Sequence, residues 1–257
     1  MKLRNDKVLV IGGSSGIGQG VAARLLQAGA IVTIAGRSED RLAKAKQELG
    51  GVNVYTVAYD ISDCDHHLDL FEQAEKLMGG LNAFVNAAAI GGATLTGRGY
   101  EPWDITPAEW DIMNNTNYKA AYFLMRNEIE FMRGKGIRGN ILNFSSNAAI
   151  QDIIGSYGAA KMCIREWTHS FGKQYGHDGI IINGIAPGAT FTPMIADYAF
   201  TIDQPYPRHA IERFIRVEEI AELAFYLMSD YGEIICGETV VADGGDNNVS
   251  DLPVYKK

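Results

Sequence analysis

Short runs of valine, isoleucine and leucine recur along this chain, and longer amphipathic stretches follow them, several stopped by glycine. No other feature constrains the fold as much. KVLVI at 7–11 leads through GGSSGIG into a helix ending near 27, with Gly29 just beyond it. IVTIA at 31–35 precedes a helix expected over 41–49, and VNVYTVA at 52–58 one expected over 66–78; Gly50-Gly51 and Gly79-Gly80 stop them. A fourth strand starts at 83, NILNFSS forms a fifth, GIIINGIA a sixth and 238–242 the last. TPAE at 106–109 opens a long helix with Thr106 as N-cap, Pro107 in the first turn and Glu109 completing a capping box. Further helices are expected over 157–175 and 217–229. Strands apolar on both faces, alternating with helices, predict a doubly wound parallel α/β sheet of Rossmann type covered on both sides. No linker or repeat divides the 257 residues, so the expectation is one domain over 1–257, with an irregular loop at about 187–216 and a tail at 246–257.

The bulk properties narrow the function. Hydrophobic residues make up 47% and charged residues 21%, the balance of a globular protein. Net charge is −8 with no basic run, which argues against a nucleic-acid partner. No apolar run approaches the roughly 18 residues of a membrane span, and the short apolar run after MKLRNDK does not read as a signal peptide. Cys64, Cys163 and Cys236 are few, odd in number and far apart, which suggests reduced thiols and a cytoplasmic setting. No metal set is expected. The adjacent His66 and His67 point different ways on a helix and read as a solvated face.

Three short stretches carry chemistry. Gly12-Gly13-Ser14-Ser15-Gly16-Ile17-Gly18 lies between a strand and a helix, where glycines permit a tight turn and the helix N-terminus faces a pyrophosphate. After the second strand, AGRSEDR offers Gly36 and Arg37 where a carboxylate would meet a free ribose 2′-hydroxyl. An arginine there favours a 2′-phosphate, hence NADP(H), with NAD(H) as the alternative. In SYGAAK, Tyr157 and Lys161 stand four apart, one helical turn from each other. A phenol titrates near 10, too high for easy proton transfer near neutrality, and a neighbouring ammonium favours its ionised form.

These motifs, in this order from about 7 to 245, resemble the classical short-chain dehydrogenases/reductases. The resemblance implies that Gly12, Ser14, Ser15, Gly16, Ile17 and Gly18 line the cofactor, with Arg37 and Ser38 at its ribose and Asp60 and Ile61 at its adenine. It matches Asn86 and Ala88 to the family's Asn-Asn-Ala-Gly, and Pro187, Gly188, Thr190 and Thr192 to the Pro-Gly segment after the sixth strand. It implies a catalytic set of Asn117, Ser146, Tyr157 and Lys161. Tyr157 would exchange a proton with the substrate oxygen, Ser146 would bond the developing oxyanion, Asn117 would anchor a relay water, and Lys161 would also hold the nicotinamide ribose. The implied activity is hydride transfer between a nicotinamide and a secondary alcohol or ketone.

The chain departs from the family pattern at Ile11, Ala87 and Ala89, so the end of the fourth strand must be braced differently. Strand alternation lets only one of Ser145 and Ser146 face the substrate. Trp167 and Phe171 read as packing on a helix that the family uses between subunits, which implies a homo-oligomer, a tetramer. Trp103, Tyr198, Phe200 and Tyr206 are candidates to line a substrate pocket. A steroid-like ketone suits the aromatic loop, and a sugar acid or polyol suits the polar insert before 104. The alternative functions are a non-catalytic dinucleotide sensor and an isomerase or dehydratase using a bound nucleotide.

Overall fold

The computed structural model describes residues 1–92, 95, 104–151, 155–196 and 200–246. Seven parallel strands form one sheet: β1 (Lys7–Ile11), β2 (Ile31–Gly36), β3 (Val54–Ala58), β4 (Ala83–Asn86), β5 (Asn140–Phe144), β6 (Ile181–Pro187) and β7 (Thr239–Ala242). Their order across the sheet is β3-β2-β1-β4-β5-β6-β7. The order reverses direction between β1 and β4, where Val10 pairs with Val85 and Ile11 with Asn86. In an open parallel sheet that switch point leaves a crevice beyond the carboxyl ends of the strands.

Strand alternation divides the core. Val8 and Val10 pack on one face against Val21 and Leu25 of α1 (Gly16–Gln27). Leu9 and Ile11 pack on the other against Leu70 and Phe71 of α3 (His67–Met78). Phe71, Phe84 and Phe131 make edge contacts, with the first two ring centroids 4.9 Å apart. Because both faces are covered, these strands read as continuous apolar runs.

Element ends differ from expectation for local reasons. Helix α2 spans Glu39–Glu48 and starts earlier than expected, because the Ser38 hydroxyl caps it by accepting from Arg41 N. Strand β3 starts later because Asn53 has a left-handed φ of 56°, which no strand continues through. The TPAE capping box forms as expected. The helix it opens is not regular, however. α4 (Pro107–Asn114) runs through a π turn at Asn115–Lys119 into α5 (Ala120–Lys135). His67 is buried, not solvated: Nε2 bonds the Ile61 carbonyl at 2.9 Å and Nδ1 meets Asn127 Nδ2 at 3.3 Å. All three cysteines are free and half-buried. No helix among the described residues is long and apolar enough to cross a membrane.

Helix α6 (Ser156–Tyr175) lies against β6, and it is followed by the short α7 (Pro193–Ala196) and by α8 (Val217–Leu227). Close approach depends on Gly172: a Cβ there would sit 2.4 Å from Gly237 Cα and 2.6 Å from Gly237 N. Gly172→Ala is therefore expected to destabilise by about 1–3 kcal/mol, as overpacking does. Thermal melts should show a midpoint lower by about 2–12 °C for a chain of this size. Gly134→Ala, where an added Cβ meets nothing within 4 Å, is the control and should not lower it.

Candidate active site

A cleft of about 790 Å³ opens at the switch point. Its floor is the turn after β1. Gly12 has φ 83° and a Cβ on it would fall 2.6 Å from Ala88 N; a Cβ on Gly18 would fall 2.3 Å from Gly12 O. Only glycine lets the turn lie this close to the end of β4. Helix α1 begins at Gly16, and its N-cap, Ser15, makes no side-chain capping bond. The first N–H groups of the helix thus remain for an anionic ligand. A glycine cradle, a helix N-terminus and a cleft of this volume fit a dinucleotide.

Ser14, Ser15, Gly16, Ile17 and Gly18 line the cleft with Gly12, as do Arg37, Asp60, Ile61 and Ala88. So do Ser146, Tyr157, Lys161, Pro187, Gly188, Thr190 and Thr192. Three expected residues do not. The Ser38 hydroxyl is used as the cap of α2. Asn86 turns behind β4, where Nδ2 donates to Glu128 Oε2 at 3.0 Å and to Asn143 Oδ1 at 2.9 Å. Asn117 is buried, and its amide makes a reciprocal pair of bonds with one residue: Oδ1 accepts from Ile90 N at 2.9 Å and Nδ2 donates to Ile90 O at 2.8 Å. Ile90 lines the cleft, so Asn117 braces the wall from behind.

The two serines are separated by their bonds. Ser145 is buried and its Oγ donates to the Lys161 carbonyl at 2.7 Å. Ser146 lines the cleft beside Tyr157, near enough to its hydroxyl to favour the ionised form. Lys161 is buried, with Nζ donating to Phe144 O at 2.7 Å and lying 5.7 Å from the centroid of the Tyr157 ring. Burial brings its pKa down to about 8. The expectation that Lys161 lowers the phenol is not met in the protein alone. Tyr157 lies above its ordinary value, because desolvation outweighs the bond from Ser146. The ring reaches the open cleft, but its hydroxyl is surrounded by enough protein to disfavour the phenolate.

Phe200 and Tyr206 line the cleft, as expected of them. Trp103, Tyr198 and the tail from 247 lie outside the described residues, as does most of the polar insert. Trp167 packs between Tyr118 and Tyr122, each 5.1 Å away, and not in the cleft. No group of His, Cys, Asp and Glu among the described residues is arranged to hold a metal.

Several cleft residues had no sequence signal strong enough to single them out. Arg41, one turn after Arg37, lines the same end, so Arg37 is not the only cation there. Asn147, Gln151, Arg208 and Asp246 line the opposite end. Glu128 is fully buried; among the described residues its Oε2 accepts from Asn86 and its Oε1 has no hydrogen-bond partner. Asn86 ties β4 to α5 through Glu128 and to β5 through Asn143, which reaches on to Thr168 of α6 at 3.0 Å.

The family model described as "Enoyl-(Acyl carrier protein) reductase" matches residues 12–247. The chain belongs to the short-chain dehydrogenase/reductase family. Levodione reductase of Leifsonia aquatica is 30% identical over 256 residues, 93% of each chain. Gluconate 5-dehydrogenase of Gluconobacter oxydans is 31% identical, with 95% of each chain covered. A short chain dehydrogenase from Bacillus anthracis superposes with a TM-score of 0.83 at 28% identity, covering 96% of this chain and 98% of the other. As a short-chain dehydrogenase/reductase the protein is an oxidoreductase of CH–OH and keto groups, dependent on a nicotinamide cofactor.

Burial holds the Glu128 carboxyl well above its ordinary range. Such a group keeps its proton in the folded state at pH values where the unfolded chain has released it. Its contribution to stability is therefore present at acid pH and lost as pH rises above the ordinary carboxylate range. Glu128→Gln keeps the shape and an acceptor for Asn86 and has no proton to lose. Its melting point should exceed that of the wild type by a margin that widens from about pH 5 to about pH 8, at no more than about 1.4 kcal/mol per pH unit. A margin independent of pH would mean that Glu128 does not titrate in this way.

Proposed function

We propose that this protein is an NADP(H)-dependent oxidoreductase that interconverts a secondary alcohol and its ketone, with Tyr157 as general acid and base. The observation that carries this reading is the position of the Tyr157 hydroxyl. It stands beside Ser146 and one turn from buried Lys161, whose Nζ is 5.7 Å from the Tyr157 ring centroid, on the wall of the cleft that the glycine turn floors. When bound, the nicotinamide supplies or removes a hydride at the reacting carbon. The chain handles the proton. In reduction Tyr157 gives its phenolic proton to the carbonyl oxygen, while the Ser146 hydroxyl donates a hydrogen bond to the same oxygen as charge develops there. Lys161, charged below about pH 8, stabilises the phenolate left behind. In oxidation the steps reverse. The Asn117 side chain is held to Ile90 behind the cleft wall, so a relay water would rest on the main chain, where the π turn breaks the regular pairing of carbonyls.

Tyr157→Phe removes the proton donor and little contact area. It should lower turnover by about 10²–10⁴ while leaving cofactor affinity nearly unchanged, read by steady-state kinetics and by titration of nucleotide fluorescence. Retention of a tenth of the wild-type rate would sink the reading. Wild-type reduction should hold its rate through neutral pH and fall as pH rises through about 8, where Lys161 gives up its charge.

Preference for the 2′-phosphate rests on Arg37, exposed at the cleft edge with Arg41 beside it and with glycine at 36 in place of a carboxylate. A relative from Lentilactobacillus kefiri, 29% identical, is named an NADP-dependent (R)-specific alcohol dehydrogenase. Charge-assisted bonds of about 1.5–3 kcal/mol make Arg37→Ala weaken NADPH by about ten- to a hundredfold and leave NADH nearly unchanged. An unchanged NADPH constant would remove Arg37 from the site. We also infer a homo-oligomer, a tetramer. Tyr118, Tyr122 and Met162 stand 36–42% exposed along α5, α6 and the π turn, with Trp110 of α4 at 46%. Light scattering that finds a monomer at micromolar concentration would overturn this.

A further inference from the structure

Beyond Ser146, the cleft wall continues as a set of polar side chains from three separate segments. Asn147 and Gln151 follow β5, Arg208 lies in the loop before α8, and Asp246 follows β7. The Asp246 side chain is only 7% exposed. Its Oδ2 accepts from Asn147 Nδ2 and from Gln151 Nε2, both at 2.8 Å. Arg208 Nε stands 3.5 Å from Oδ1, and Arg208 Nη2 stands 3.5 Å from Gln151 Oε1. Asn147 Oδ1 meets Ser146 Oγ at 3.4 Å. The polar wall therefore adjoins the serine that stands beside Tyr157 in the cleft.

From this wall we propose, resting on the reading of the cleft as a ketone and alcohol site, that the substrate is a polyhydroxylated ketone or its polyol. Hydroxyls next to the reacting carbon would be bonded by Asp246, Asn147 and Gln151. A buried carboxylate is costly unless its lone pairs are met, and it offers about four. Two are taken by short amide bonds. The arginine contacts sit at the outer limit of hydrogen bonding, so acceptor capacity on Oδ1 is only weakly used. Each amide nitrogen in the wall also carries a second N–H. A substrate hydroxyl, donor and acceptor in one atom, suits such a mixed set. A wholly apolar ketone would strip water from it and return nothing. Met194, Phe200 and Tyr206 line the same cleft and add apolar surface, with Tyr206 close to Arg208 and Asp246. A polyol presents C–H as well as hydroxyls, so it can use both kinds of lining. The same hydroxyl pattern belongs to neutral sugars and cyclitols and to sugar acids; Arg208, 62% exposed, is the group that would distinguish them.

The experiment compares kcat/KM for NADPH-driven reduction of cyclohexanone, 2-hydroxycyclohexanone, a pentahydroxycyclohexanone and a keto-aldonate. A site built to bond a substrate hydroxyl rejects the analogue lacking it by up to about 10⁴–10⁵. At least one hydroxylated ketone should exceed cyclohexanone by about a hundredfold or more. Asp246→Asn and Gln151→Leu should each narrow that ratio by about tenfold or more, at about 1.4 kcal/mol per factor of ten. A merely structural role would lower both substrates alike and leave the ratio, and that result overturns the inference. Equal turnover of hydroxylated and plain ketones by the wild type overturns it too, while leaving the oxidoreductase reading intact. Failure to turn over any ketone or alcohol with either nicotinamide would overturn both together. Arg208→Met separates the two sources. A loss confined to the keto-aldonate assigns a sugar acid, and equal small losses on the acidic and neutral ketones assign a neutral polyol.

Discussion

Every strand of the sheet runs the same way, and the rest of the molecule depends on that. Parallel pairing brings all seven carboxyl ends to one edge, and the reversal of strand order between β1 and β4 parts the loops there. The glycine turn leaves from β1, Ala87 and Ala88 from β4, the two serines from β5 and the Pro-Gly segment from β6. Residues more than a hundred positions apart thus share one cleft without any long-range motif linking them. The glycines of the first turn make that meeting possible, since a side chain on Gly12 would strike the backbone of Ala88.

Burial gives the site its electrostatic character. Lys161 is tied to the main chain of β5 through the Phe144 carbonyl and, by its own carbonyl, to Ser145. Those two bonds hold the end of β5 against the N-terminal part of α6, the part that carries Tyr157. The protein by itself raises the phenol and lowers the ammonium, both by desolvation. Each group is therefore nearer to neutral than it would be in water, which at Tyr157 is the proton-bearing state that the proposed reduction calls for. A positive nicotinamide beside the pair would shift the balance toward phenolate, as alcohol oxidation needs.

Behind the cleft a second polar system ties the end of β4 to its neighbours. Glu128, Asn86, Asn143 and Thr168 link α5, β4, β5 and α6 in the middle of an apolar layer. Such a chain is costly where an atom is left unpaired, as at Glu128 Oε1 and Asn86 Oδ1. In exchange it holds in place the strand ends that carry Ala87, Ala88 and the serines.

Fold class, strand order of appearance, the glycine turn and the tyrosine–lysine pair are local or periodic signals, and the sequence alone determined them. Apolar period, capping chemistry and glycine placement each act within a few residues, so they can be read without a structure. The capping box at Thr106 and Glu109 is of this kind, and so is the arginine after β2. Tertiary structure decided what depends on which side chains meet. The choice between Ser145 and Ser146 turned on a bond to a carbonyl sixteen residues away. Asn117 proved to brace Ile90, and the π turn after α4 carried no signal in residue type. Glu128 sat in a run that reads as an ordinary amphipathic helix, and only packing reveals that its carboxyl is buried. Asp246 and Asn147, ninety-nine residues apart, became neighbours because two parallel strands end on the same edge. Burial and long-range contact are properties of the packed chain, and local sequence carries no direct record of either.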